Sequence, residues 1–188
     1  MLWRNSDTQY GLIAQLLHWL IVLLVVYQFV LGLQAEELPV SMARLQMLAT
    51  HKALGMTVLM LMVVRLLWRV VNTVPEIPPS RTRRLAQITH FAFYLLLFAV
   101  PLSGWMLSSA SNLSVSYFRL FTFPDLLGSN EELAHLLKVI HETLNFSLAA
   151  MVLLHVAAAL LHQFRFHDPV LRRMLPGAQL WRRNDNSR

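Results

Sequence analysis

The sequence predicts an all-α membrane protein, a four-transmembrane-helix bundle with both termini in the cytoplasm. Three observations predict it. Hydrophobic residues make up 56% of the 188 residues and charged residues only 14%, far from the balance of a water-soluble domain. The apolar residues are gathered into four runs, each long enough for a membrane span, which takes roughly 20 mostly apolar residues. The cations are shared unevenly between the two sides that this topology creates. A length of 188 residues suits one compact domain, 1–188.

The first span is predicted at about 10–33, through GLIAQLLHWLIVLLVVYQFVLGL. It begins too near the N-terminus to follow a cleaved leader and lacks a small-residue cleavage site. The second, about 48–71, contains HKALGMTVLMLMVVRLLWRVV. The prolines and arginines of NTVPEIPPSRTRR then stop helix and mark a surface loop. The third span, about 85–109, reads LAQITHFAFYLLLFAVPLSGWMLSS. A polar loop from Ala110 to Asn130 follows, with Pro124, Asp125 and Gly128. The fourth, about 136–164, carries HETLNFSLAAMVLLHVAAALLHQF, and 165–188 forms a cytoplasmic tail with a short disordered end, NDNSR.

Of the sixteen Lys and Arg, Arg4, Arg65, Arg69, Arg81, Arg83, Arg84, Arg165, Arg172, Arg173, Arg182, Arg183 and Arg188 fall toward the side of the termini. Arg44, Lys52, Arg119 and Lys138 fall toward the other. Cytoplasmic loops carry the excess of cations, so the termini are placed inside. The net charge of +6 is thereby assigned to a membrane surface and not to nucleic acid. With no cysteine, disulfides, thiolate-held clusters, cysteine nucleophiles and covalent haem attachment are all excluded.

Eight histidines remain as candidate ligands. His141 and His155 stand fourteen residues apart on one apolar helix. That is just under four turns, so both rings leave nearly the same face, at depths roughly 21 Å apart. His18, about two turns into the first span, matches the depth of His155; His51, about one turn into the second, matches that of His141. An ionisable group in hydrocarbon is costly and marks function by default. A neutral imidazole is a good iron ligand, and helical bundles offer flat apolar slots for haem. The predicted iron ligands are therefore His18 with His155 toward the inside and His51 with His141 toward the outside, for two non-covalent b haems. Gly55, on the face of His51, would admit a porphyrin edge, and Arg65 and Arg69 are candidate partners for haem propionates. His90, His162, Arg69 and Arg84 gather at the inner ends of the spans as candidate donors to a quinone headgroup; His90 and His162 also compete with His18 and His155 for iron. His135 and His167 are read as surface residues, and the five tryptophans first as interface and packing residues.

These segments resemble the prokaryotic cytochrome b561 family along nearly the whole chain. The resemblance rests on LLHWL at Leu16–Leu20, HKALG at His51–Gly55, LMVVRLLWR at Leu61–Arg69 and THFAFYLLLFAVPLSG at Thr89–Gly104. It is strongest in HETLNFSLAAMVLLHVAAALLHQF and the following HDPVLRRMLPG. It implies a di-haem b protein of the bacterial inner membrane that passes electrons from a periplasmic donor to the quinone pool. By position, His18 and His155 match the family's inner ligands and His51 and His141 its outer ones. The resemblance implies ubiquinone as acceptor and, as donor, superoxide or a redox protein; other members look like membrane subunits of hydrogenases or similar periplasmic enzymes. Two imidazoles per iron leave no open position, which suits electron transfer over oxygen activation. A transporter passing metal ions or protons along the histidines is the reading from another class, and it requires polar residues continuous through the bundle, of which the spans hold few.

Overall fold

A computed structural model describes residues 3–7, 9–75, 83–168, 170–171 and 173–176. Arg81, Arg172, Arg182, Arg183, Arg188, Trp181 and the NDNSR end lie outside the described residues. Four long helices dominate: α1 Leu12–Glu37, α2 Met42–Val71, α3 Arg83–Ala110 and α4 Glu131–Phe164. Each is long and apolar enough to cross a membrane. Their surfaces fit a lipid solvent: Leu23, Phe91 and Leu153 point outward at 67%, 71% and 73% exposure.

The helices run further than hydropathy alone outlines, chiefly at the end away from the termini, which the cation count assigns to the outside and which is called outer below. There α1 and α2 are joined by only residues 38–41, with Pro39 ending the first and Ser41 capping the second by accepting from the Arg44 backbone N–H at 3.3 Å. Asn130 caps α4 by accepting from the Leu133 N–H at 2.9 Å, and Glu131 and Glu132 complement the dipole of that first turn. At the inner end α1 starts at Gly11, where any Cβ would stand 2.5 Å from the Arg4 backbone, so the N-terminal segment can fold back only over glycine. The inner turn of α1 is further tied to the tail: Gln15 Nε2 donates to the Arg173 carbonyl at 3.0 Å and Trp19 Nε1 to the Met174 carbonyl at 2.7 Å.

The close backbone neighbours are α1 with α2, α2 with α3 and α3 with α4. Among the described residues α4 makes no comparably close approach to α1 or α2. A small core of Ile21, Val58 and Met62, with Tyr94, Leu97 and Phe98 packed on it, fills the middle of α1–α3.

The α3–α4 connection is more ordered than a polar loop. It folds into a small hairpin, β1 Ser116–Tyr117 and β2 Phe121–Thr122, turned by Phe118 (φ 48°) and Arg119 (φ 63°). It is fastened over the outer end of the bundle by the Tyr117 and Thr57 hydroxyls (3.3 Å), Lys52 Nζ on the Leu113 carbonyl (3.1 Å) and Trp105 Nε1 on the Pro124 carbonyl (3.1 Å).

Candidate functional site

Two histidine groups lie inside the bundle at two depths. At the outer level the rings of His51 on α2 and His141 on α4 have their centres 6.3 Å apart. An imidazole nitrogen sits roughly 2 Å from a bound transition metal and just over 1 Å from its own ring centre. Two imidazoles on opposite sides of one metal therefore have centres about 6 Å apart. The pair faces a cavity of ≈ 290 Å³ reached by all four helices.

Glycine frames that cavity. A Cβ on Gly32 would meet His51 Cε1 at 3.3 Å, and one on Gly104 would meet His141 Cε1 at 2.9 Å. These two positions let the rings lie against α1 and α3, and sequence reasoning singled out neither. Gly55 lines the same cavity, but a Cβ there would make only an ordinary contact, at 3.5 Å, with Gln28 Nε2. Gln28, also missed, donates to the His51 carbonyl at 2.8 Å from the middle of an apolar helix. The signal was present in both cases: an interior glycine weakens a helix by about 1 kcal/mol, and an intramembrane amide needs a partner.

The ring nitrogens decide what the pair can hold. His141 Nδ1 is 3.1 Å from the Val100 carbonyl, which can only accept, so Nδ1 carries the proton and Nε2 is left bare for a metal. His51 Nδ1 is buried and has no hydrogen-bond partner. One bare nitrogen, one orphaned ring and a cradle without side chains fit a haem iron held between two imidazoles.

At the inner level three histidines converge. His90 on α3 and His155 on α4 have ring centres 6.4 Å apart, and Phe93 stands edge-on to His155 at 5.2 Å. His18 on α1 is within electrostatic reach of both and receives a hydrogen bond on Nδ1 from Arg65 Nη1 at 3.3 Å. Separation alone does not select the ligands. His90 and His155 stand on helices that pack side by side, whereas α1, which carries His18, makes no comparably close approach to α4 among the described residues.

The four expected quinone donors separate. His90 and Arg69 line one cavity of ≈ 620 Å³ between α2 and α3, together with Tyr94, Gln87 and Arg83. The Arg69 guanidinium lies over the Tyr94 ring, 5.6 Å from its centre. Neither Arg84, which is exposed, nor His162 lines it. His162 pairs instead with Asp168 at 2.9 Å beside Phe166. His135 and His167 are exposed.

Four apolar helices with half-buried histidines at two depths, and a ring nitrogen of His141 left for iron, define a membrane protein able to hold haem without covalent attachment. Residues 9–177 match the family described as prokaryotic cytochrome b561. The chain belongs to that family. It is 34% identical to cytochrome b561 homolog 2 of Escherichia coli (strain K12), over 93% of this chain and 95% of that one. It is 31% identical to cytochrome b561 homolog 1 of the same organism, over 85% and 93% of the two chains. It is 30% identical to a protein of Yersinia pestis named probable superoxide oxidase CybB, over 85% and 92%. The chain is thus a transmembrane electron-transfer protein of the haem b type.

Proposed function

We propose that the chain relays electrons across the bacterial inner membrane through two b haems, from a periplasmic donor to ubiquinone. The observation that carries this is α4. One helix presents His141 and His155 at two depths, and each faces another helix's histidine across the bundle. His51 and His141 would hold the outer iron, His18 and His155 the inner. A bis-imidazole haem supplies a one-electron couple with no open coordination position.

The chain's own residues set the two ends. Arg65 can only donate to His18 Nδ1. A His18 that holds iron through Nε2 and carries its proton on Nδ1 would release the guanidinium, which is then near enough to balance an inner propionate. The His90–Arg69 cavity is the candidate quinone site: Arg69 donates to a carbonyl oxygen, and His90 can both donate and pass the protons that a reduced quinone takes up. His162, paired with Asp168, lies outside that cavity. At the outer end, Arg44, Lys52 and Lys138 face the cavity along with Glu36 and Glu142. Lys138 is held by both carboxylates, at 3.0 Å and 3.4 Å, while Glu37, Asp125, Glu131 and Glu132 at the same end offset Arg44 and Lys52. A small anion such as superoxide is the donor that the Yersinia pestis relative's name favours.

The test is pyridine haemochrome analysis with iron counting on the purified protein, followed by mixing with superoxide or a soluble quinone. Two haems per chain, reduced by the first and reoxidised by the second, are expected. A single haem, or no response to quinone, would sink the relay.

A further inference from the structure

We infer that Ser103, with the Val100 carbonyl, is a positioning group for His141 and makes the outer histidine pair electronically unequal. The inference rests on the reading of His141 as an iron ligand. Ser103 is buried, with 6% of its surface exposed. Its Oγ lies 3.0 Å from His141 Nδ1 and donates to the Val100 carbonyl at 2.8 Å. The hydroxyl proton being spent on Val100, the Oγ lone pairs face the ring and accept from Nδ1–H. The Nδ1 proton is therefore shared by two acceptors, the Val100 carbonyl and Ser103 Oγ.

This closed triangle fixes three things at once. It fixes the tautomer, since both neighbours of Nδ1 are acceptors. It fixes the ring plane, because the ring is wedged against Gly104, where a Cβ would stand 2.9 Å from Cε1 and 3.3 Å from Nδ1. It also raises the basicity of Nε2, because a hydrogen bond from the far nitrogen pushes electron density toward the metal. The same turn contains Pro101, whose missing N–H leaves the Leu97 carbonyl without its helical partner.

His51 has none of this. Its Nδ1 is buried and unpartnered, and Gln28 holds only its backbone carbonyl. Of the two imidazoles, His141 is the anchored strong donor and His51 the weaker, freer one. The potential of the outer haem should then respond to Ser103, a residue that touches neither haem iron nor substrate.

The experiment is a redox titration of the haem-loaded protein, following the two haem components separately, in Ser103→Ala, Ser103→Thr, Gly104→Ala and His141→Ala. Ser103→Ala should keep both haems and shift the outer midpoint upward, since a weaker donor favours reduced iron, with the inner midpoint unmoved. Ser103→Thr, which keeps the hydroxyl, should restore the wild-type value. Gly104→Ala should lose outer haem. If Ser103→Ala does not accumulate, Ser103→Cys reads the same upward shift through its weaker acceptor. An outer midpoint unchanged in Ser103→Ala, or both midpoints moving together, overturns the inference while leaving His141 as ligand. Retention of both haems by His141→Ala removes the ligand reading and the inference with it.

Discussion

At the outer level two histidines meet across a glycine-framed cavity, and only one has its second ring nitrogen engaged; at the inner level three histidines share a depth with Arg65 and Arg69. The outer group is defined by what is missing. Gly32 and Gly104 remove side chains, and the cations there are partly offset by Glu36 and Glu142. The inner group is defined by surplus, with one histidine more than a pair of ligands requires and a guanidinium on His18. The contrast is one of kind: the outer level holds carboxylates and ammonium groups paired with one another, and the inner level holds a third imidazole beside guanidinium groups.

The largest effects should come from removing the ligands themselves. His51→Ala or His141→Ala should abolish one haem component, and His155→Ala the other, by difference spectroscopy of the reduced proteins. Loss of the same component in all three would break the comparison outright. Next in size is the test of the inner surplus. His18→Ala should remove the inner haem, whereas His90→Ala should retain both; the opposite result would make α3 and α4, not α1 and α4, the jaws of the inner site.

A smaller effect is expected on exit. With both haems present, His90→Ala should slow reoxidation by a soluble quinone about tenfold in stopped flow, roughly 1.4 kcal/mol of barrier. His162→Ala should stay within about twofold, under about 0.5 kcal/mol, because its ring faces Asp168 and not the cavity. Equal slowing in the two would move the quinone away from the α2–α3 cavity. The smallest effect is structural. Trp19→Phe removes the indole hydrogen bond to the Met174 carbonyl and should cost about 1 kcal/mol, read as a thermal midpoint lower by about 2–4 °C with both haems still bound.

Much of this was legible in the sequence because hydrophobicity and helical pitch are one-dimensional properties. Four apolar runs of sufficient length announce four helices, and depth along a helix follows from counting residues, which is how His51 and His141 come to be matched. Rotation about a helix axis relative to its neighbours is not one-dimensional. That is why Arg65 reaching His18, and Ser103 reaching His141, could not be read from spacing. The same ignorance placed His162 beside His90, since both lie near inner span ends and only side-chain direction separates them. The hairpin after α3 was invisible for a different reason: its strands are two residues each, and its left-handed turn uses Phe118 and Arg119 where glycine or asparagine would have signalled it.

The bonds from Gln15 and Trp19 to the tail also bear on how the bundle is assembled. They join positions 158 and 155 residues apart, so they are among the last native contacts a growing chain can make. At roughly 5–20 residues per second of synthesis, α1 waits on the order of ten seconds for these partners. The flank between α1 and α4, which no close helix contact seals among the described residues, forms only once α4 is complete, and the tail latches its inner end within roughly 2 s at that rate.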